Sequence, residues 1–480
     1  MTEDATMSPP EHNERLSGRL GPVAIAFMVV AAAAPLTVIG GNMPLAMGLG
    51  NGAGAPTGFV IASVVLLLFS IGFIAMTPYV SEAGAFFAYV TKGLGDRLGT
   101  GIAVVALIAY TAIQVGIYGY IGWAIDDTVK HYGGPSLPWP VYAVAVLAVV
   151  AVLGHRHIEV SAKVLGVALA LEIGIVLLLD LVVLGADPGP SAMTLTSFTP
   201  DTFLDGSLGV AVLFALTGFI GFEATAVFRD EARDPERTIP RATYAAVLII
   251  GGFYALTTWV FVVAVGPDEV ASVAQQTLAG EGNMLLDVTG GALGRVGRDV
   301  VNVLLLSSLF ACVLSFHNVI ARYQFVLAGR GLLPKRLATV HPAHHSPSVS
   351  SLAQTATALL IVGILAFAGV DPLVGVFGSM AGVATVGMVI LMLTTSIAVL
   401  AFFSRHRELA AGRPWQTRIA PALATVGLIG SGWLVLSNFT LVTGGSAALS
   451  TVLAAVPIAG LLVGWMVGRP LLKASSKPGE

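Results

Sequence analysis

The chain has 480 residues, of which 56% are hydrophobic and 11% charged, and its mean hydropathy is +0.87. Globular domains carry about 25% charged residues, so this composition excludes a soluble enzyme. The net charge of −3 argues against a nucleic-acid partner, and the single cysteine, Cys312, excludes an internal disulfide.

The apolar stretches predict an all-α integral membrane protein with about twelve transmembrane helices, because a spanning helix needs roughly 20 apolar residues. The approximate spans are 22–49, 56–78, 98–126, 139–154, 159–184, 207–229, 241–265, 299–328, 348–368, 373–402, 417–438 and 449–468. The longest connection, about 266–298, includes a predicted short helix at 269–279. Residues 1–18 show no signal-peptide cleavage site and predict a disordered cytoplasmic tail. Residues 19–469 then form one membrane domain, and 470–480 a second cytoplasmic tail.

The basic residues predict the orientation, because cytoplasmic loops collect Lys and Arg. With the N-terminus placed in the cytoplasm, all but Lys130, Arg295 and Arg298 of the 24 basic residues fall on the cytoplasmic side. We therefore predict a multi-pass protein of the cytoplasmic membrane with both termini in the cytoplasm.

The first span is interrupted by Pro35 and by Gly40-Gly41. Proline removes an N–H donor and clashes one turn back, so a simple kink is one interpretation. The other is a broken helix, at which exposed N–H groups attract a carboxylate and free carbonyls attract a cation. The substrate-binding backbone is then that of Leu36, Thr37 and Val38. The Thr37 hydroxyl either joins this site or bonds back one turn.

The third and fifth spans carry polar residues at mid-depth. Tyr110 and Gln114 share a helix face, so they either line a cavity or hydrogen-bond another helix. Glu172 lies about 20 Å into the fifth span, near the bilayer midplane, where acidic residues mark ion or proton pathways. Our hypothesis is that Glu172 binds a proton when it loses contact with water and couples proton entry to substrate. A sodium ligand and a neutral hydrogen-bonding acid are the alternatives. Asp180, two turns further out, is expected near the external mouth with a structural role.

The sixth span contains an irregular, glycine-rich stretch followed by a dense run of charge, LGVAVLFALTGFIGFEATAVFRDEARDPERTIPRA. Irregular backbone at bilayer depth persists only beside protein or a wet cavity, so Thr217–Gly221 is a candidate break. Its backbone at Thr217, Gly218 and Ile220 is the second predicted substrate-binding segment. A continuous helix with glycines for close packing is the alternative.

The eighth span is interrupted by polar residues, His317 and Asn318. They either lie on the translocation path, where Asn318 would gate it, or hold helices together. Ser307-Ser308 in the same span could serve a sodium site. The histidines at 341, 344 and 345 have no acidic or cysteine partners in their loop, so we expect no metal site there.

Three motifs together resemble the amino acid–polyamine–organocation permeases. GFIGFEA followed by DEARDPERTIPRA resembles their sixth-helix signature. AGAFFAYV with GLG after the second span and ARY to GRGLLPK after the eighth resemble two further family segments. The resemblance covers about residues 20–405. Interrupted helices at matching places in two halves also point to an inverted repeat. The predicted fold is leucine-transporter-like: repeat one at about 20–185, repeat two at about 206–403, and two added helices at about 417–468.

The resemblance implies a secondary active transporter, not an enzyme, that moves an amino acid or related amine by alternating access. It implies that Phe219 faces the substrate and that Glu223 gates the cytoplasmic path, although Glu223 could instead pair with a basic neighbour. At two places this sequence departs from the family pattern, and residue roles cannot be transferred from the family there. Thr37-Val38-Ile39 stands where many members have Gly-Ser-Gly, and Glu172 stands where several proton-coupled members have lysine.

Proton coupling is our prediction, with exchange or sodium coupling as the alternatives. A channel and a membrane-embedded enzyme are the rival classes. No cofactor is expected besides the coupling ion, and the expected partners are the small-molecule substrate and the bilayer. The substrate's identity and the oligomeric state are not predicted.

Overall fold

The computed structural model describes residues 21–22, 25, 33–80, 85–155, 162–186, 195–223, 234–341, 346–444 and 446–468. The predictions for the terminal tails, for the charged segment 224–233, for the start of AGAFFAYV and for the histidines at 344 and 345 lie outside this part of the chain. Inner and outer refer below to the predicted cytoplasmic and external sides.

In the described part of the chain, a helical segment overlaps each of the predicted spans. The first, α1, is a run of short pieces, of which the second and fourth are π-helical: Pro35–Thr37, Val38–Asn42, Met43–Leu45 and Ala46–Asn51. The others are α2 Ala55–Met76, α3 Asp96–His131, α4 Trp139–His155, α5 Ala162–Gly185, α6 Leu208–Thr217, α7 Pro235–Val265, α8 Met284–Gly329, α9 Ser348–Phe367, α10 Ser379–Arg405, α11 Ala420–Ser437 and α12 Ala447–Val467. Single π-helical turns, Pro372–Gly378 and Trp415–Ile419, precede α10 and α11. Short helices in the connections include Ala85–Leu94, Pro200–Phe203, Val270–Leu278, Arg407–Ala410 and Phe439–Val442.

The helices are apolar and long enough for a membrane protein. Among the described residues, nine stretches could cross a bilayer by length and composition, with Pro35–Tyr79 taken as one, and α4 and α6 are shorter apolar helices. The predicted all-α membrane architecture is therefore confirmed.

One predicted connection is more helical than expected. The short helix predicted at 269–279 is present as Val270–Leu278, but residues 284–298, predicted as loop, belong to α8. The Asn283 side chain accepts a hydrogen bond from the Leu286 N–H at 3.3 Å and so caps this extension. Gly294, with φ of 72°, interrupts the helix before the membrane-spanning part begins.

The share of buried residues separates central from peripheral helices. In its most apolar window α3 is 78% buried, whereas α9 is 28% and α12 is 22% buried. α3 packs against α8, α10 and α12, and α6 is buried from Gly209 to Thr217. The peripheral helices expose side chains such as Leu360 and Val452. An exposed apolar face of this kind suits lipid rather than water. The peripheral helices therefore face the bilayer, and we expect the functional region among the central helices α1, α3, α6 and α8.

Candidate substrate and coupling site

The first predicted span departs from helical geometry at Ala34, just before α1 begins at Pro35, and this point is called the α1 break below. Ala34 has φ of 46°, and it is the one non-glycine residue with positive φ in the described part of the chain. The residue before proline avoids the α-helical region, which places the irregularity at Ala34. The predicted interruption at Gly40-Gly41 is wrong, because both glycines lie inside the π-helical piece Val38–Asn42. Their role is close packing, since a Cβ on Gly41 would lie 2.7 Å from the ring of Tyr120.

The break in α6 lies where the sequence predicted it. The helix ends at Thr217, and the N–H groups of Phe219 and Ile220 bond back only three residues, to Leu216 and Thr217, at 3.1 Å. Gly221 then takes φ of 110°, which a residue with a side chain rarely adopts. A continuous α6 is therefore excluded.

The two broken helices meet at their irregular segments. A Cβ on Gly218 would lie 3.1 Å from the Val38 side chain. Four residues further along α1, the Asn42 amide donates a hydrogen bond to the Phe214 carbonyl at 2.9 Å. The predicted substrate-binding segments at 36–38 and 217–220 are thus brought together.

Glu172 links α5 to this junction. Its side chain is 5% exposed, and its Oε2 accepts hydrogen bonds from the Leu36 N–H at 3.4 Å and from the Ser308 hydroxyl at 2.9 Å. The Thr37 hydroxyl donates to Ser308 at 3.4 Å rather than bonding back along α1. One carboxylate on α5 therefore contacts both the break in α1 and the middle of α8.

Aromatic and hydroxyl side chains from α7 and α10 complete the region. The Tyr254 hydroxyl donates to the Ala33 carbonyl at the α1 break at 3.2 Å. The Tyr254 ring packs edge-on against Phe219, with centroids 6.3 Å apart. The Thr217 hydroxyl bonds to the Leu213 carbonyl at 2.8 Å and pairs with the Thr385 hydroxyl. Free carbonyls and hydroxyls of the two breaks are thus held by neighbouring helices, as buried polar groups require.

A second cluster lies on the inner side of the junction. The Tyr110 hydroxyl of α3 donates to Glu223 Oε1 at 2.6 Å, and Glu223 Oε2 accepts from the Gly221 N–H at 2.9 Å. Both side chains are buried. Among the described residues Glu223 is thus bonded to a tyrosine, whereas Arg229 and Arg233, the basic residues that follow it, lie outside this part of the chain. Asn318 is half-buried on α8, and it lies two residues from Phe316, whose ring packs against Tyr110. Residues two apart on a helix face different sides, so the gating role of Asn318 stays a prediction.

Gln114 makes a hydrogen bond between helices. Its Oε1 accepts from Gln354 Nε2 of α9 at 2.7 Å, and Gln354 Oε1 accepts from Gln324 Nε2 of α8 at 3.1 Å. The Gln114 Nε2 atom is buried and has no partner among the described residues. The predicted contact of Gln114 with substrate stays a prediction, and its observed role is to join α3 to α9.

We expect Gln354→Leu to lower the free energy of unfolding by about 2–4 kcal/mol, because the buried amide of Gln114 and the half-buried amide of Gln324 lose their partner at once. The measurement is thermal unfolding of the purified protein in detergent. Gln416→Leu is the matched control, since Gln416 is exposed and should unfold as the unmodified protein does. Equal melting temperatures for the two variants would contradict a structural role for the glutamine chain.

Comparison with known proteins identifies the family. The amino acid permease family model matches residues 20–467. The chain belongs to the amino acid permease family. Among its relatives, the low-affinity putrescine importer PlaP of Escherichia coli (strain K12) is 25% identical over 74% of this chain and 77% of its own length. The serine/threonine exchanger SteT of Bacillus subtilis (strain 168) is 23% identical over 59% of this chain and 62% of its own length.

A solved structure agrees with the fold. A manganese transporter of Eremococcus coleocola, crystallised with an aromatic bis-isothiourea compound, matches 96% of the permease and 96% of its own chain at 15% identity, with a TM-score of 0.55. At this identity the likeness shows the fold alone. The predicted membership of the amino acid–polyamine–organocation superfamily and the leucine-transporter-like fold are confirmed. The permease is a multi-pass membrane transporter, and it is not an enzyme.

Several side chains of the junction were not found by reading the sequence. Tyr254 and Thr385 lie in apolar spans where an aromatic or a threonine is unremarkable, and Gln354 pairs with Gln114 from 240 positions away. A signal for Tyr254 existed in the polar group that it forms with Thr257 and Thr258 in α7. In the described part of the permease no group of three or more His, Cys, Asp or Glu could hold a metal ion.

Proposed function

We propose that the permease moves an amino acid or related amine across the cytoplasmic membrane by alternating access, and that proton binding at Glu172 drives this movement. The substrate would bind at the junction of the two broken helices, where Leu36–Val38 and Thr217–Ile220 meet. The putrescine importer and the serine/threonine exchanger among its relatives support a substrate of this size and chemistry.

The observation that carries the coupling proposal is the position of Glu172. Its carboxylate lies on a peripheral helix yet contacts the α1 break and α8, which are parts that move relative to each other in alternating access. A buried carboxylate favours the neutral form when it loses water or its hydrogen-bond donors. Protonation would therefore change the hydrogen bonds by which α5 contacts α1 and α8. A coupling residue must link proton binding to the contacts between moving helices in this way.

The experiment is uptake of radiolabelled substrate into proteoliposomes with an imposed pH gradient. We expect the unmodified permease to concentrate its substrate when the outside is acidic. Glu172→Gln should still equilibrate the substrate across the membrane, because the amide keeps the hydrogen-bonding shape, but it should no longer concentrate it. A Glu172→Gln protein that still concentrates substrate with unchanged pH dependence would rule out the proton role.

Sodium coupling is the second candidate, favoured by one feature. The oxygens of Thr37, Ser308 and Glu172 form a connected set at 3.4 and 2.9 Å. Backbone and side-chain oxygens of broken helices coordinate sodium in transporters of this architecture. In the same proteoliposomes, uptake that follows a sodium gradient and ignores the pH gradient would favour this candidate over proton coupling.

A further inference from the structure

Glu172 occupies the position on α1 that suits an anion. α1 begins at Pro35, which has no N–H, so the Leu36 N–H is the first donor of this run of helix. That donor lies 3.4 Å from Glu172 Oε2. Exposed N–H groups and the positive end of the helix dipole favour a negative charge here. The protein supplies that charge itself, from a neighbouring helix.

A buried hydroxyl without a partner lies one helical turn further along α1, near α8. The Tyr120 side chain of α3 is 0% exposed, and its hydroxyl has no hydrogen-bond partner among the described residues. This hydroxyl lies against Gly40, and two side chains of α8 follow, Leu285 and Leu305, at 3.1 and 3.4 Å from a Cβ on Gly40. Gly40 and Leu305 lie one helical turn outward of Leu36 and Ser308. A ligand reaching Leu36 from outside would therefore pass the Tyr120 hydroxyl.

Building on the function proposed above, we propose that the Glu172 carboxylate is an internal stand-in for the carboxylate of an amino acid substrate. While Glu172 is ionised, it holds the Leu36 N–H and repels a second carboxylate. A proton arriving from the outer side neutralises it and frees this donor. The substrate carboxylate then binds the Leu36 N–H and accepts a hydrogen bond from Tyr120. Proton binding is thus the condition for binding an α-carboxylate, and the coupled substrate is an amino acid rather than an amine that lacks a carboxylate.

Glu172 is the group whose charge controls binding of the substrate carboxylate in this proposal, as the other titratable groups around it show. The described residues of α1, 33–51, contain no titratable side chain. On the packed helices, Tyr254 of α7 hydrogen-bonds to Ala33 at the α1 break, and Cys312 of α8 lies one helical turn from Ser308. On α5, Asp180 lies two turns outward and accepts a hydrogen bond from Thr257 at 2.9 Å.

The remaining titratable groups of α8 near this depth are further away. Asp299 and His317 each lie nine positions from Ser308, about 13 Å along the helix. His317 bonds to Ser351 of α9 at 2.8 Å, away from α5. Among the described residues, none of the groups that face Glu172 from the packed helices is a basic side chain that could bind the substrate carboxylate in place of the Leu36 N–H.

The test compares matched ligands that differ only in the carboxylate: ornithine with putrescine, lysine with cadaverine, and serine with ethanolamine. Binding to the purified, folded permease is measured by radioligand competition at about pH 5.5 and about pH 7.5. For the amino acid of a pair we expect the dissociation constant to fall by up to about tenfold for each pH unit of acidification, as linkage to one proton requires. For the matching amine we expect no such gain.

Three variants refine the comparison. Glu172→Gln carries no charge at either pH, so its affinity for the amino acid should no longer depend on pH. Tyr120→Phe should weaken binding of the amino acid and leave the matching amine unchanged. Asp180→Asn removes the other buried carboxyl of α5 and should keep the full pH dependence of the unmodified protein.

The outcomes separate this inference from the proposed function. Equal pH dependence for an amino acid and its amine, or a retained pH dependence in Glu172→Gln, would overturn the stand-in role. Binding of amines but of no amino acid would overturn it as well, while leaving a transporter of amines. Folded permease that binds neither class at either pH would remove the inference and the proposed function together. The comparison of each amino acid with its matching amine on the unmodified protein tests the stand-in role even if a variant fails to fold.

Discussion

Tyr110→Phe is expected to open the inner side of the permease. The Tyr110 hydroxyl donates to the buried Glu223 carboxylate at 2.6 Å and so ties α3 to the segment after α6. A hydrogen bond to a charged group contributes about 1.5–3 kcal/mol. If the bond forms only while the inner side is closed, losing it shifts the equilibrium toward the inner-open state by about 10- to 150-fold. This is the largest functional effect that we expect from removing one atom.

The chain is well suited to measuring this shift. Its only cysteine, Cys312, is buried, so a Cys312→Ala background carries no competing thiol. A cysteine in place of Asn318, the predicted gating residue, then reports by its rate of alkylation in detergent whether the inner side is open. We expect that rate to rise by tens of fold in Tyr110→Phe.

Tyr132→Phe provides the matched control for the gate. Tyr132 directly follows α3, and its hydroxyl also donates to a carboxylate at 2.6 Å, that of Asp299, but at the outer end and in an exposed position. The same chemical change there should leave alkylation at position 318 unaltered. An unchanged rate in Tyr110→Phe, with only a lower melting temperature, would show that the Tyr110–Glu223 bond is structural and that Glu223 does not gate.

Hydropathy alone was enough to predict the architecture. Spans such as 139–154 and 348–368 agree with α4 and α9 within one or two residues, because roughly 20 apolar residues in a row have few alternatives to a membrane helix. The depth of Glu172 near the midplane rests on similar reasoning and stays a prediction. A helix rises a fixed distance per residue, so position along a span gives position in the bilayer.

The partners of the polar residues could not be predicted in this way. Glu172 meets Leu36 and Ser308, each 136 positions away, and Gln114 meets Gln354. Periodicity shows which residues share a face of one helix, but it does not show which helix lies opposite. For Tyr110 and Gln114 the sequence left two alternatives, and the structure shows contacts between helices for both.

Of the two predicted interruptions of the first span, one is confirmed and the other is wrong. Gly40-Gly41 continue the helix, and the irregular residue is Ala34. Pro35 marks the true break, because proline disfavours α-helical geometry at the residue before it. In α6 the same reliance on glycine succeeded, because Gly221 does take a positive φ. A glycine therefore marks either a break or a close contact, and only the neighbours distinguish the two.

Gly41→Ala is expected to destabilise the permease by about 1–3 kcal/mol, the usual cost of overpacking a well-filled core. The new Cβ would lie 2.7 Å from the Tyr120 ring and 2.8 Å from the Phe377 ring. These rings are buried and packed together with centroids 5.1 Å apart, so neither can withdraw easily. Gly174→Ala on α5 is the control, because nothing lies within 4 Å of its Cβ. That variant should be unchanged or up to about 1 kcal/mol more stable.

Comparing thermal stability with transport in Gly41→Ala decides what the glycine pair does. If it serves close packing, the melting temperature falls, and adding Tyr120→Leu recovers part of the loss, because the two positions are in contact and their effects are coupled. If the pair instead serves as a hinge in alternating access, Gly41→Ala keeps the melting temperature of the unmodified permease and loses transport. The fit of both glycines against Tyr120, inside a continuous π-helical piece, leads us to expect the first result.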